Sequence, residues 1–257
     1  MDEVRYRAAE RRLWQSCGVT PTEQRVRLDR IGVTVRVQEV GQGPAVVFVH
    51  GASTSGTSWA SLVARLRGFR CLLLDRPGCG LSDPLPARLD DMDALGTFAE
   101  ALIVDVLEAL QLDRAHLVAT SFGGYLALRT AAAHPERIGR MVEFGWPIGA
   151  PAGRIPLLMR LMRLTSVPAL ARLLTTLPPN ERAVRALFRS IGLRQSLAAG
   201  RISAETIGCY LALLRDTDTL RNELTAGPRI ITLRGMNDRV LLPSGLLAAI
   251  RTTVYFL

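Results

Sequence analysis

The sequence contains no lysine, so all 32 of its basic side chains are arginines, and the formal net charge is +9. The arginines are scattered along the chain and form no dense block. Such scattering is typical of a solvated basic surface, and it does not favour a site for nucleic acid or for an anionic membrane. We therefore expect no nucleic-acid partner.

Long apolar runs are also missing from the chain. No stretch of 18 or more apolar residues occurs, so the sequence predicts no membrane span. The N-terminus is charged and lacks the continuous apolar stretch of a signal peptide. A cytoplasmic protein is the expectation.

Cysteine and histidine are scarce, with four and three copies. The cysteines form no C-x-x-C pair and no cluster with histidine, so we expect neither disulfides nor a bound metal. The four are Cys17, Cys71, Cys79 and Cys209.

What the chain does have is a full apolar complement, 48% of 257 residues, and an alternation of strand and helix patterns. Such a chain suits one large α/β domain. Helical periodicity appears at 3–16, 59–66, 94–110 and 122–133. Strand patterns appear at 25–28, 33–37, 45–49, 71–74, 115–119 and 140–144. This β-α-β-α order predicts a mostly parallel sheet with helices on both faces.

The alternation stops between about 147 and 226, where only helical periodicity is found. Strand character returns at 230–233, a helix pattern follows at 245–250, and a last strand is predicted at 253–257. We therefore expect a core built from 1–146 and 227–257, with 147–226 inserted as a helical cap.

The most informative stretch runs from Leu117 to Gly124, where a buried strand leads through Ser121 directly into a helix. A turn this tight needs small neighbours, which Ala119 and Gly123 provide. The turn lifts the serine hydroxyl above the strand ends, where the positive end of the helix lies. Ser121 is thus a candidate nucleophile, although a serine at a helix start can also be an ordinary cap.

Three other stretches follow predicted strands. His50-Gly51-Ala52 ends the strand at 45–49, and the N–H of Ala52 could stabilise an oxyanion together with that of Phe122. The loop from Asp75 to Asp83 is interpreted as a structural turn held by its glycines. Asp238 follows the strand at 230–233, a position suited to orienting a histidine base.

Together these stretches resemble the α/β-hydrolase superfamily, in particular its cap-bearing, serine-nucleophile branch, over about residues 24–250. The resemblance implies an eight-stranded sheet, Ser121 as nucleophile, Asp238 as the acid, and Ala52 with Phe122 as oxyanion donors. It also implies that His50 and Gly51 support the oxyanion loop. No cofactor is implied. A serine at the elbow disfavours the aspartate chemistry of dehalogenases and epoxide hydrolases.

The sequence departs from the family at the base histidine, because none follows Asp238. His116 precedes Ser121 on one strand by roughly 16 Å at ~3.3 Å per residue. His134 lies roughly 20 Å away, at the far end of the following helix, at ~1.5 Å per residue. His50 is nearer but is expected to support the oxyanion loop. Truncation of the chain and a natural pseudoenzyme both account for the missing histidine.

Glu143 interrupts an otherwise apolar strand, and a buried carboxylate needs a partner or a raised pKa. Some members of the family place their acid near the end of this strand. Glu143 lies too early for that role, so Asp238 is the preferred acid.

The predicted function is hydrolysis of a small, mainly apolar ester, with Trp146 and the cap's leucines and methionines lining the pocket. An anionic substrate group is an alternative, because the cap carries Arg154, Arg160, Arg163 and Arg172. Two further functions stay open, namely a non-catalytic binding or scaffold protein and a cofactor-free haloperoxidase or C–C-bond hydrolase. An uncovered strand edge at the end of the chain would favour association, so a homodimer is a further expectation.

Overall fold

The computed structural model describes residues 1–86, Leu89, 91–144, 179–223 and 254–256. Seven strands lie in this part of the chain. They are β1 (Thr22–Leu28), β2 (Val33–Val40), β3 (Ala45–Val49), β4 (Arg70–Leu74), β5 (Ala115–Thr120), β6 (Ile138–Phe144) and β7 (Val254–Phe256).

The helices of the same part alternate with the strands up to residue 144 and then follow one another. They are α1 (Glu3–Ser16), α2 (Ala60–Val63), α3 (Met92–Ala109), α4 (Phe122–Ala133), α5 (Glu181–Phe188), α6 (Arg194–Ala198), α7 (Ala204–Asp216) and α8 (Thr219–Arg221).

All seven described strands form one sheet in the order β1-β2-β4-β3-β5-β6-β7. The pairs β1–β2 and β2–β4 are antiparallel, and the other pairs are parallel. The mostly parallel sheet expected from the alternation is thus found. The strand predicted at 230–233 and the helix predicted at 245–250 lie outside the described residues, so the count of eight strands stays a prediction.

The two faces of the sheet are covered by different helices because successive side chains of each buried strand point to opposite sides. Val47 and Val49 pack with α3 and α4 in one apolar cluster. Val46 and Phe48, on the other face, pack with residues of α1 and α7. The run at 45–49 is therefore apolar throughout because it is buried on both faces.

The helix predicted at 59–66 is shorter than expected. A 3₁₀ helix (Gly56–Trp59) leads into α2, which ends at Val63. The amides of Arg65 and Leu66 bond three residues back, to Leu62 and Val63, which tightens the chain and ends the helix.

The segment predicted as a cap is described only at 179–223, where it is helical. In this described part, α5 is capped by Asn180, whose side chain accepts from the N–H of Ala183, and α7 is capped in the same way by Ser203, which accepts from the N–H of Thr206. Gly192, at φ 96°, turns the chain between α5 and α6. The boundaries at 147 and 226 lie outside the described residues.

The N-terminal helix α1 packs between the sheet and α7. Tyr6, Leu13 and Trp14 share one apolar cluster with Cys209 and Leu213. α1 therefore joins the sheet to the helical segment that comes some 200 residues later in the chain.

A buried ion network fixes α1 to the sheet. Arg36 of β2 is fully buried and donates to both carboxylate oxygens of Glu10 at 2.7 and 2.9 Å, and to Asp75 at 2.8 Å. Glu10 also accepts from Thr57, which bonds to the hydroxyl of Tyr6. Each charge is paired, as burial requires.

In the part of the chain that the structure describes, no helix is both long and apolar enough to cross a membrane.

Candidate active site

Ser121 is the single residue between β5 and α4, and its backbone has φ 52° and ψ −121°. A non-glycine residue in this region is strained, and surrounding structure must hold it there. Here the Ser121 N–H donates to the carbonyl of Phe144, and the Ser121 carbonyl accepts from the N–H groups of Gly124 and Tyr125. The predicted strand–serine–helix turn is therefore present and is fixed on both sides.

The elbow lies against the end of β3. A Cβ on Gly123 would overlap the carbonyl oxygens of Val49 and His50, and a Cβ on Gly51 would lie 3.2 Å from Cβ of Ser121. Glycine at both positions is what lets the two strand ends approach this closely. The structure thus brings the His50-Gly51 turn and Ser121 together.

The two candidate oxyanion donors flank this contact. Phe122 is the first residue of α4, so its N–H has no partner within the helix. Ala52 follows Gly51 directly and is exposed, and the chain then turns through Ser53 at φ 53°.

His50 is fully buried, and both of its ring nitrogens are engaged. Nε2 accepts from the backbone N–H of Arg76 at 3.0 Å, so the proton is on Nδ1, which donates to the Gly51 carbonyl at 2.8 Å. Burial and then the Arg76 charge hold the pKa of His50 well below its usual range, although the Gly51 hydrogen bond opposes them. His50 is neutral, and it has no free lone pair with which to accept a proton from Ser121.

The other two histidines lie away from the elbow. His116 pairs in register with Val46 at the opposite end of β5, and its Nδ1 accepts from the N–H of Arg140. His134 is the C-cap of α4. All three histidines of the sequence fall within the described residues, and none of them is placed to serve Ser121 as a base.

The proposed acid, Asp238, lies outside the described residues, as do Trp146 and the four arginines at 154, 160, 163 and 172.

Glu143 is fully buried in β6, beside Ala119 of β5. A Cβ on Gly124 would overlap its carboxyl group, so the carboxyl lies under the first turn of α4. Neither oxygen has a hydrogen-bond partner within the described residues. Burial raises the pKa of Glu143 to about 8, so the group is mostly protonated at neutral pH.

Arg76 was not singled out in the sequence, yet it contacts most of the site. Its Nε donates to the carbonyl of His50 at 3.0 Å, and its Nη2 donates to the carbonyl of Gly51 at 2.9 Å. Its guanidinium lies 4.8 Å from the ring centroid of Phe122 and pairs with Glu223 at 2.6 Å. Its local signal was its place in the loop from Asp75 to Asp83, two residues after the end of β4.

The loop that contains Arg76 is held by more than its glycines. Asp75 accepts from the N–H groups of Gly56 and Leu81 at 2.7 and 3.0 Å, in addition to its pair with Arg36. A Cβ on Gly80 would overlap the Asp75 carboxylate. The carboxylate therefore ties this loop to the chain that follows Gly51.

Known proteins are similar to this chain over the part that contains the elbow. A family model described as the alpha/beta hydrolase fold matches residues 44–143. A 2-hydroxy-6-oxononadienedioate/2-hydroxy-6-oxononatrienedioate hydrolase from Burkholderia vietnamiensis is 32% identical over 53% of this chain and 49% of its own length. A 2-hydroxy-6-oxo-6-phenylhexa-2,4-dienoate hydrolase from Comamonas testosteroni is 27% identical over 76% of this chain and 65% of its own. The chain thus spans about half to two thirds of these relatives.

Solved structures share the fold. Carboxylesterase CesB from Bacillus subtilis aligns with a TM-score of 0.66 at 16% identity, over 99% of this chain and 79% of its own. A 2-hydroxy-6-oxo-6-phenylhexa-2,4-dienoate hydrolase from Rhodococcus aligns with a TM-score of 0.65 at 18% identity, over 93% and 80%. The sheet order, the serine elbow and these comparisons show that the chain has the α/β-hydrolase fold.

Proposed function

We propose that Ser121 is the nucleophile of a serine hydrolase that attacks a carbonyl carbon. The observation that carries the proposal is the strained Ser121 backbone, held between β5 and α4 and pressed against Gly51. Strain of this kind persists at functional sites, where the surrounding structure over-determines it. The N–H groups of Ala52 and Phe122 would stabilise the oxyanion that forms.

Asp238 is proposed as the acid of the triad. No histidine of this chain is proposed as the base. His50 is neutral with both nitrogens bonded, and His116 and His134 lie away from Ser121. Without a base the serine hydroxyl is a weak nucleophile, and only the oxyanion donors and substrate binding remain to accelerate the reaction. We therefore propose that this chain by itself turns over esters slowly.

The proposed substrate is a small, mainly apolar ester, bound between the sheet and a helical cap at 147–226. A second candidate is hydrolysis of a C–C bond next to a ketone. The names of the curated relatives favour it, since those proteins are hydrolases of 2-hydroxy-6-oxo dienoates and dienedioates. Both reactions are consistent with the same first requirement, a carbonyl oxygen placed at the N–H groups of Ala52 and Phe122.

The proposal is tested with 4-nitrophenyl butyrate, with and without added imidazole. We expect turnover roughly 10³-fold or more below that of an ordinary serine esterase, because one member of the triad is missing. Imidazole should raise this rate, because it supplies the absent base. Imidazole also hydrolyses 4-nitrophenyl esters by itself, so both rates are taken above an enzyme-free blank at the same imidazole concentration. Ser121→Ala should abolish both of these rates, whereas Ser61→Ala, at an exposed serine of α2, should change neither.

Turnover at an ordinary esterase rate that depends on Ser121 would contradict the proposed absence of a base. No Ser121-dependent turnover, even with imidazole, would overturn the hydrolase proposal and favour a binding protein. Repeating the assay with a 2-hydroxy-6-oxo-6-phenylhexa-2,4-dienoate and following the loss of its conjugated absorption decides between the ester and the C–C bond.

A further inference from the structure

Arg76 makes an unusual set of contacts for a buried ion pair. Its side chain is 3% exposed, and Glu223 is its one carboxylate partner within hydrogen-bond distance among the described residues. The remaining described guanidinium bonds go to two successive backbone carbonyls, those of His50 and Gly51. An arginine that only paired with a carboxylate would not need these hydrogen bonds to the backbone carbonyls beside Ser121.

The hydrogen bonds to the Gly51 carbonyl fix the direction of the following N–H, which is that of Ala52. The Gly51 carbonyl and the Ala52 N–H belong to one planar trans peptide unit, so they point in opposite directions. That carbonyl accepts from Arg76 Nη2 at 2.9 Å, from His50 Nδ1 at 2.8 Å and from the hydroxyl of Thr54 at 3.0 Å. Three donors on one oxygen hold the peptide plane, and with it the direction of the Ala52 N–H.

The same guanidinium touches the second oxyanion donor. It lies over the ring of Phe122 at 4.8 Å from the centroid, within the range of a cation–π contact. Arg76 is thus in contact with the segments that carry both N–H groups.

Glu223 connects Arg76 to the helical segment after α7. That segment docks on the same loop through two more bonds, from Asn222 Nδ2 to the carbonyl of Gly78 at 3.0 Å and from the N–H of Gly80 to the hydroxyl of Thr219 at 2.9 Å. Glu223 Oε1 also accepts from the thiol of Cys79 at 3.1 Å. A displacement of residues 219–223 would therefore withdraw the carboxylate from Arg76.

We propose that Arg76 is a positioning residue for the oxyanion donors, and that Glu223 couples the placement of residues 219–223 to the direction of the Ala52 N–H. The proposal rests on the proposed role of Ser121 and its oxyanion donors. It adds a residue that acts on the reaction through the backbone, without touching the substrate.

The structural part is tested by amide hydrogen exchange, which does not depend on catalysis. In Arg76→Gln we expect the two hydrogen-bonded amides that flank this turn, that of residue 76 on His50 Nε2 and that of Gly56 on Asp75, to exchange roughly tenfold faster or more, because the turn loses the charged donor that holds its carbonyls. Glu223→Ala should give a smaller increase at the same amides, with β1 and β2 unchanged. The matched control is Arg70→Gln, which removes a two-bond pair with Glu39 away from the site and should leave exchange of the amides at 56 and 76 unchanged.

The catalytic part is tested on the same variants with the imidazole-assisted ester assay. Arg76→Gln should lower kcat by roughly 10- to 100-fold with little change in KM, because the lost interaction matters when the oxyanion forms. Arg76→Lys should recover part of the loss, since an ammonium can bond one of the two carbonyls but cannot span both. Glu223→Ala should fall between Arg70→Gln and Arg76→Gln.

Exchange of the amides at 56 and 76 that is unchanged in both folded variants would overturn the inference, and so would an increase spread evenly over the sheet. If Arg76→Gln does not fold, Glu223→Ala decides alone, because Glu223 is only partly buried. A wild-type chain without Ser121-dependent turnover defeats the proposed function, while the exchange experiment still decides whether Arg76 and Glu223 hold the peptide.

Discussion

Ser121 pays a conformational cost that the residues around it must offset. A residue in a sparsely populated region of φ and ψ costs on the order of 1–3 kcal/mol. The Ser121 N–H donates to the carbonyl of Phe144, and the Ser121 carbonyl accepts from the N–H groups of Gly124 and Tyr125. These hydrogen bonds leave the backbone of Ser121 little freedom to relax. The hydroxyl is therefore presented by fixed backbone, which suits a group that must meet a carbonyl in one orientation.

Glu143 is the residue with the clearest predicted dependence on pH. Its folded pKa of about 8 lies above the unfolded value of 4.5, so the unfolded state loses its proton first as the pH rises. Stability should fall between about pH 4.5 and 8, with a loss on the order of 3 kcal/mol at pH 7. Glu143→Gln stays neutral and should be more stable than the wild type at pH 7–8 but similar near pH 4.5, as measured by urea unfolding.

The matched control for Glu143 is Glu136→Gln, at a side chain that is 66% exposed. Its free energy of unfolding, compared with that of the wild type, should not increase with pH as that of Glu143→Gln does. Equal stability of Glu143→Gln and wild type across this pH range would show that Glu143 has a partner that keeps it ionised.

Among the elements, α1 depends most on a few polar contacts. Glu10 neutralises the fully buried Arg36, so Glu10→Ala leaves that cation with Asp75 and the half-buried Glu23. We expect a loss of roughly 3 kcal/mol in the free energy of unfolding, typical of a broken buried pair. Trypsin should then cut α1 faster, after Arg11 or Arg12.

Glu3→Ala provides the control on the same helix. Its partner Arg7 lies one turn away, both side chains are partly exposed, and such a pair contributes about 0.5 kcal/mol or less. If the two variants lost similar stability and were cut at similar rates, the buried network would not be what holds α1.

At the scale of the whole molecule, the net charge of +9 is spread over many elements. Several arginines are paired with acids of other elements, as Arg25 is with Asp83 and Arg129 is with Glu100. We expect duplex DNA to bind only weakly, with a Kd above roughly 10 μM at 150 mM salt and no detectable binding at 300 mM. Fluorescence anisotropy measures this, and submicromolar binding at 150 mM would reveal a basic site.

The sequence was sufficient to place the seven described strands and the serine elbow, because both have local patterns. The apolar run at 45–49 indicates a strand buried on both faces, and small residues around Ser121 indicate a tight turn. Arg36 and Arg76 could not be predicted in the same way. Their partners Glu10 and Glu223 lie 26 and 147 residues away in the chain, and no periodicity records such a pairing.

The packing of α1 against α7 also sets an order of events during synthesis. The N–H of Asp2 bonds to the carbonyl of Asp216, so the first helix waits for a partner that the ribosome adds more than 200 residues later. At about 5–20 residues per second, that wait lasts roughly 10–40 s. Throughout it, Tyr6, Leu13 and Trp14 lack their α7 neighbours, so part of the apolar face of α1 stays exposed until the chain has been made past Asp216.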